Sequence, residues 1–118
     1  VSDGTTALLN DLVDAMVNDQ NVYLALYADE TTELSATGYA RQLVQFPAAV
    51  NGETANDVTG TFGPFTGAGG PVTHWALWSA SSGGTRRTAI QEFVGGALEW
   101  ADGGTLEFPP GAITVSIA

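Results

Sequence analysis

A chain of 118 residues, 44% of them hydrophobic, is long enough to bury a core without cross-links, and its lack of cysteine excludes disulfides, thiolate chemistry and cysteine-based metal centres. Thirteen acidic residues against three arginines and no lysine give a formal charge of -10. That balance argues against a phosphate-binding surface, because displacing counterions from nucleic acid needs clustered Lys or Arg, and no apolar run approaches the roughly 18–20 residues of a membrane span. Neither nucleic acid nor membrane is therefore expected among the partners, and the acidic excess would steer a basic partner surface.

From Thr5 to Asn18 the apolar residues Leu8, Leu9, Leu12, Val13, Met16 and Val17 recur at helical spacing. Ser2, Asp3 or Thr5 can cap the start, and Asn18 to Asn21 breaks the pattern. Asn10, Asp11 and Asp14 form the polar side. One such stripe is too little for a bundle and must pack on a sheet. Val22 to Ala28 follows, apolar throughout and rich in strand formers. Asp29, Glu30 and Glu33 then open an acidic loop, whose spacing matches no calcium-binding helix-loop-helix and lacks its glycine, so a solvated loop is expected.

Gly38 to Phe46 alternates and is stopped by Pro47, which predicts a third strand; Pro47 to Asn56 reads as a loop. Asp57 to Phe65 reads as a short strand with Val58 and Phe62 inward. The glycine-rich connection from Gly63 to Pro71 lacks the lysine and the following helix of a phosphate loop, so it reads as a turn. Val72 to Ala80 holds two of the three tryptophans and the lone histidine, His74. Neither of its faces is polar, which predicts one interior strand covered on both sides. Thr85 to Val94, Ala97 to Trp100, Thr105 to Phe108 and Ala112 to Ala118 complete the set, with Ile113, Val115 and Ile117 on one face of the last.

Short strands separated by turn signals predict a mainly β protein. The expectation is an antiparallel β-sandwich or open barrel, covered in part by one N-terminal amphipathic α-helix, in a single domain over 1–118 with the helix at about 5–18 and strands from about 22 onward. A reaction centre needs a nucleophile with its base, paired carboxylates or a metal cluster. His74 has no partner at ligand spacing, and the carboxylates fall in turns and on the helix face. No catalytic, metal or cofactor site is therefore expected. In so acidic a chain each of Arg41, Arg86 and Arg87 either neutralises a neighbouring carboxylate or meets a partner. Trp100 lies beside a turn, as do Arg86 and Arg87, and these three are the candidate partner-interface residues.

The order of segments carries a further signal. The helix leads into Val22-Tyr-Leu-Ala-Leu-Tyr27, then Glu33-Leu-Ser35 with Gly38-Tyr-Ala-Arg-Gln42. Val72-Thr-His-Trp-Ala-Leu77 with Ser82-Gly-Gly84 comes next, and last Gly104-Thr-Leu-Glu-Phe108 with Gly111-Ala-Ile-Thr-Val115. Over nearly its whole length this series resembles a family of small tailed-bacteriophage virion structural proteins, described as capsid decoration (cement) or tail-fibre-like. The chain departs from that pattern at Thr85 to Glu92, where Arg86, Arg87 and Glu92 replace apolar residues. The resemblance implies no catalytic residue. It implies a virion protein, and capsid decoration is the first expectation: a homotrimer on the capsid exterior, bound to the major capsid protein and stabilising the shell by multivalent contact. A minor tail, tail-fibre or baseplate protein is the alternative. A carbohydrate-binding β-sandwich using Trp78 or Trp100 as a platform is the alternative of another class.

Overall fold

The computed structural model describes residues 21–93 and 96–116. The helix expected at about 5–18 lies outside them, as do Val94 and Ile117. Ten short strands are present: β1 (Val22–Tyr27), β2 (Gln42–Val44), β3 (Glu53–Ala55), β4 (Gly60–Phe62), β5 (Gly70–Val72), β6 (His74–Trp78), β7 (Gln91–Glu92), β8 (Leu98–Trp100), β9 (Leu106–Phe108) and β10 (Thr114–Ser116). All described pairings are antiparallel. One four-stranded sheet runs β2-β1-β6-β7, and three two-stranded ladders, β10-β3, β4-β9 and β5-β8, complete the described pairings. The protein is mainly β, as its turn-punctuated sequence predicts.

β1 and β6 form the centre because, His74 apart, both consist of aliphatic and aromatic residues and can face packed layers on both sides. Their register pairs Tyr23 with Trp78, Ala25 with Ala76 and Tyr27 with His74. Val22, Leu24 and Leu26 point with Trp75 and Leu77 into the main core, where Phe62, Phe65, Phe108, Ile113 and Val115 meet them. On the other face Ala25 and Ala76 are fully buried between Tyr27, Trp78 and Ile90. Small residues in the middle let the large side chains at either end close over them.

The structure corrects four sequence expectations. Val72 to Ala80 is not one strand: it breaks at Thr73, so Val72 joins Trp75 and Leu77 in the main core instead of facing away from them. Thr73 is occupied elsewhere, its amide donating to the Tyr27 carbonyl (2.9 Å) and its hydroxyl to the Ala28 carbonyl (2.9 Å). The stretch from Pro47 to Asn56 contains β3, which polar residues conceal. Val58 is 40% exposed instead of inward, while Phe62 is fully buried. Thr85 to Val94 yields only the two-residue β7 and an isolated bridge from Arg86 to Trp78. Between Trp78 and Trp75 this outer strand takes two more residues than β6 does. The excess is absorbed where the Leu77 amide donates to the buried Thr88 hydroxyl (3.1 Å) instead of to a backbone carbonyl.

Candidate interface site

Of the three arginines, Arg41 is spent inside the chain. Its Nε donates to Glu33 Oε2 and its Nη2 to Glu33 Oε1, both at 2.9 Å, so a planar guanidinium meets a carboxylate with two parallel bonds. Nη1 donates to the carbonyls of Ala80 (3.1 Å) and Gly83 (2.9 Å), which ties the loop after β6 to the loop before β2. The guanidinium carbon lies 4.1 Å from the centre of the Trp78 ring, and Trp78 Nε1 donates to the Tyr27 hydroxyl (2.9 Å). Tyr39 completes the network. Its hydroxyl donates to Glu33 Oε2 (2.5 Å) and accepts from the Leu26 amide (3.1 Å), serving β1 just past the point where β2 stops.

The electrostatics follow from these contacts. Burial pushes the Glu33 carboxyl up, but the hydrogen bonds from Arg41 and Tyr39 and the charge of Arg41 outweigh it, so Glu33 is held below its usual range. Burial, and then the bond to Glu33, drive the Tyr39 hydroxyl far above its usual range. Because the folded Glu33 pKa is depressed, its contribution is complete above the ordinary glutamate pKa and is lost as pH falls through the folded value. Glu33→Gln is therefore expected to cost about 1–2 kcal/mol at neutral pH, and the gap from the parent should narrow as urea titrations are moved below about pH 4. An unchanged gap across that range would show that Glu33 is not ionised in the network.

The acidic loop does not gather around a cation. Glu33 is committed to Arg41, while the exposed Asp29 accepts from the amides of Thr31 (2.9 Å) and Thr32 (2.8 Å) and closes its own turn. Among the described residues no three potential metal ligands come together. His74 Nδ1 lies 2.8 Å from the Thr73 hydroxyl; since that hydroxyl gives its only proton to Ala28, the histidine nitrogen is the donor.

Arg86, Arg87 and Trp100 are not brought together. Arg86 is exposed beside Trp78, and Arg87 is half-buried with its amide bonded to the Leu77 carbonyl (2.6 Å). The Arg87 Nε is buried without an acceptor, and the only ion pair among the described residues is Arg41–Glu33. Trp100 stands opposite Gly70 on β8, at the far end of the β5–β6 run. It packs 5.5 Å from the Phe65 ring over a floor of Gly67 and Gly70. A Cβ on Gly67 would meet its ring at 2.9 Å and one on Gly70 at 3.1 Å, so the glycine-rich connection is a fitted seat and not a slack turn. The residues missed by sequence reasoning are Glu33, Tyr39 and Trp78 as partners of Arg41. Their signal was the one arginine set apart from the Arg86-Arg87 pair.

These features define a small antiparallel β module whose strongest polar groups are spent on holding loops to a sheet. Residues 4–116 match the family model described as Podophage GP4 fiber I protein gp80, and the chain belongs to that family. It is thus a phage virion structural protein of a fibre family, which agrees with the resemblance in its segment order. No curated protein matches the chain.

Proposed function

We propose that the protein is a structural subunit of a fibre-like appendage of the phage particle, acting by adhesion and not by turnover. The observation that carries this reading is the family match across residues 4–116. The family description is of a fibre protein, and it supports the tail-fibre alternative better than decoration of the capsid exterior, the first expectation from sequence. The geometry supports adhesion in that the Glu33 carboxylate, which could otherwise serve as an acid or base, is occupied by Arg41 and Tyr39. A sugar platform gains no support, because one face of Trp78 is taken by Arg41 and Trp100 is seated on Gly67 and Gly70.

Immunogold labelling of intact particles with antibody against this chain tests the reading. Label confined to an appendage, with few copies per particle by quantitative mass spectrometry, is the expected result. Label spread over the head shell in high copy number would restore capsid decoration, and absence from purified particles would end both.

A further inference from the structure

The sequence holds no lysine, so a protease that cuts after basic residues can act only at Arg41, Arg86 and Arg87. The fold treats these three differently. Arg41 is withdrawn: its side chain is 9% exposed, its nitrogens are bonded to Glu33 and to the carbonyls of Ala80 and Gly83, and the peptide bond after it leads straight into β2. Arg87 is half-buried with its amide on the Leu77 carbonyl, and Thr88 after it is buried. Arg86 closes an unbroken run of exposed residues that begins at Ser81, and a Cβ on Gly83 within that run would meet nothing within 4 Å. Exposed loop tips of small polar residues are where folded chains are nicked. Opening this one requires the Ser79–Thr85 and Arg87–Leu77 bonds beside the end of β6 to part. Presenting Arg41 would break a two-bond ion pair and two further hydrogen bonds.

The pairing of strands across this loop is a second, independent observation. β7, β8, β9 and β10 follow the loop, and they pair with β6, β5, β4 and β3, which precede it. No described ladder joins two of the later strands to each other. Phe108, Ile113 and Val115 from the later part share the main core with Leu24, Leu26 and Phe62 from the earlier part. The Asn56 side chain bonds the Phe108 and Pro109 carbonyls and the Ile113 amide across the same division. A break in the loop would therefore sever the chain and leave every one of these strand pairs intact.

We infer that the loop from Ser81 to Arg87 is a processing site for an arginine-specific serine protease, which takes the Arg86 guanidinium into its acidic specificity pocket, and that the two pieces stay folded together. The reaction is a hydrolysis. The bond between the Arg86 carbonyl carbon and the Arg87 nitrogen breaks, and water supplies a hydroxyl to the carbon and a proton to the amine. The fold thus admits one covalent break and keeps the assembled subunit, wherever in the particle that subunit stands.

Limited digestion of the full chain with trypsin tests both parts. A single cut after Arg86 is expected while the protein is native, and the two pieces, identified by mass, should elute together from a gel-filtration column in buffer and apart in urea. Arg86→Gln, an exposed position, should slow the nicking on the order of tenfold or more, with tryptophan fluorescence confirming its fold. A parent as resistant as R86Q, a first cut after Arg41 or Arg87, or pieces that part in native buffer would each overturn the inference.

Discussion

Asn56→Ala is expected to cost about 3 kcal/mol or more, a large share of the stability of a domain this size, through the loss of four hydrogen bonds made by one buried side chain. Asn56 is 2% exposed. Its Nδ2 donates to the carbonyls of Val58 (3.0 Å), Phe108 (3.3 Å) and Pro109 (3.1 Å), and its Oδ1 accepts from the Ile113 amide (2.9 Å). Its backbone adds a bond to the Ile113 carbonyl and accepts from the Gly111 amide. One side chain thus joins the end of β3 to the end of β9 and the approach to β10. Alanine would take away the side-chain acceptor of the buried Ile113 amide and the side-chain donor to the Phe108 carbonyl, and stripping a buried group of its partner costs more than the bond itself is worth. Asn56→Asp separates this cause from simple loss of volume. It keeps the size and the acceptor, yet a carboxylate would face three carbonyl oxygens, so at neutral pH it should fail at least as badly. Urea midpoints of both variants check this, and an Asn56→Asp variant as stable as the parent would refute the bonding argument.

The contrast between Asn56 and β1 shows what the sequence could reveal. β1, β6, β9 and the approach to β10 were legible because apolar runs or strict alternation report burial directly: Leu24, Leu77, Phe108, Ile113 and Val115 are all buried. The antiparallel β class follows from these runs and the turn residues between them. β3 was not legible, since Glu53-Thr-Ala55 carries little apolar signal and is held by pairing with β10 across a long sequence separation. The stretch from Gly67 to Gly70 was opaque for a related reason. Glycine suggests freedom when viewed alone, and only the position of Trp100 shows that the missing side chains are a surface that it fills. β8 and β9 flank the Asp102–Gly104 turn, the mark of a hairpin, yet pair with β5 and β4. Local turn chemistry sets a reversal of direction and leaves the partner to the core.

The candidate site divides along the same line. That each scarce arginine must have a purpose is plain from composition, and Arg41 confirms it by gripping Glu33 eight residues away. Which purpose falls to which arginine is a matter of topology. Arg41 leaves the loop before β2 toward Trp78 on β6, with β1 between the two strands, whereas Arg86 and Arg87 follow β6 and pair with no carboxylate among the described residues.

Phe62→Ala should have the other large effect, about 3–5 kcal/mol. Phe62 is fully buried on β4, stacked on Tyr39 with ring centres 5.9 Å apart and set edge-on to Phe108 at 5.7 Å; Phe108 in turn stacks on Phe93 at 5.7 Å. Its ring therefore links the β4-β9 ladder to the tyrosine whose hydroxyl serves Glu33 and the Leu26 amide. Truncation removes aromatic contacts and leaves a cavity among neighbours fixed by backbone pairing, which can collapse only in part. Leucine would refill much of the space, so Phe62→Leu should lose less than half as much. Because Tyr39 loses its stacking partner, Phe62→Ala should also blunt the effect of Glu33→Gln, and a double-mutant cycle is expected to show coupling of about 0.5 kcal/mol or more. Strict additivity would mean that Tyr39 is positioned by its own hydrogen bonds alone, and that the aromatic core and the Glu33–Arg41 network are independent.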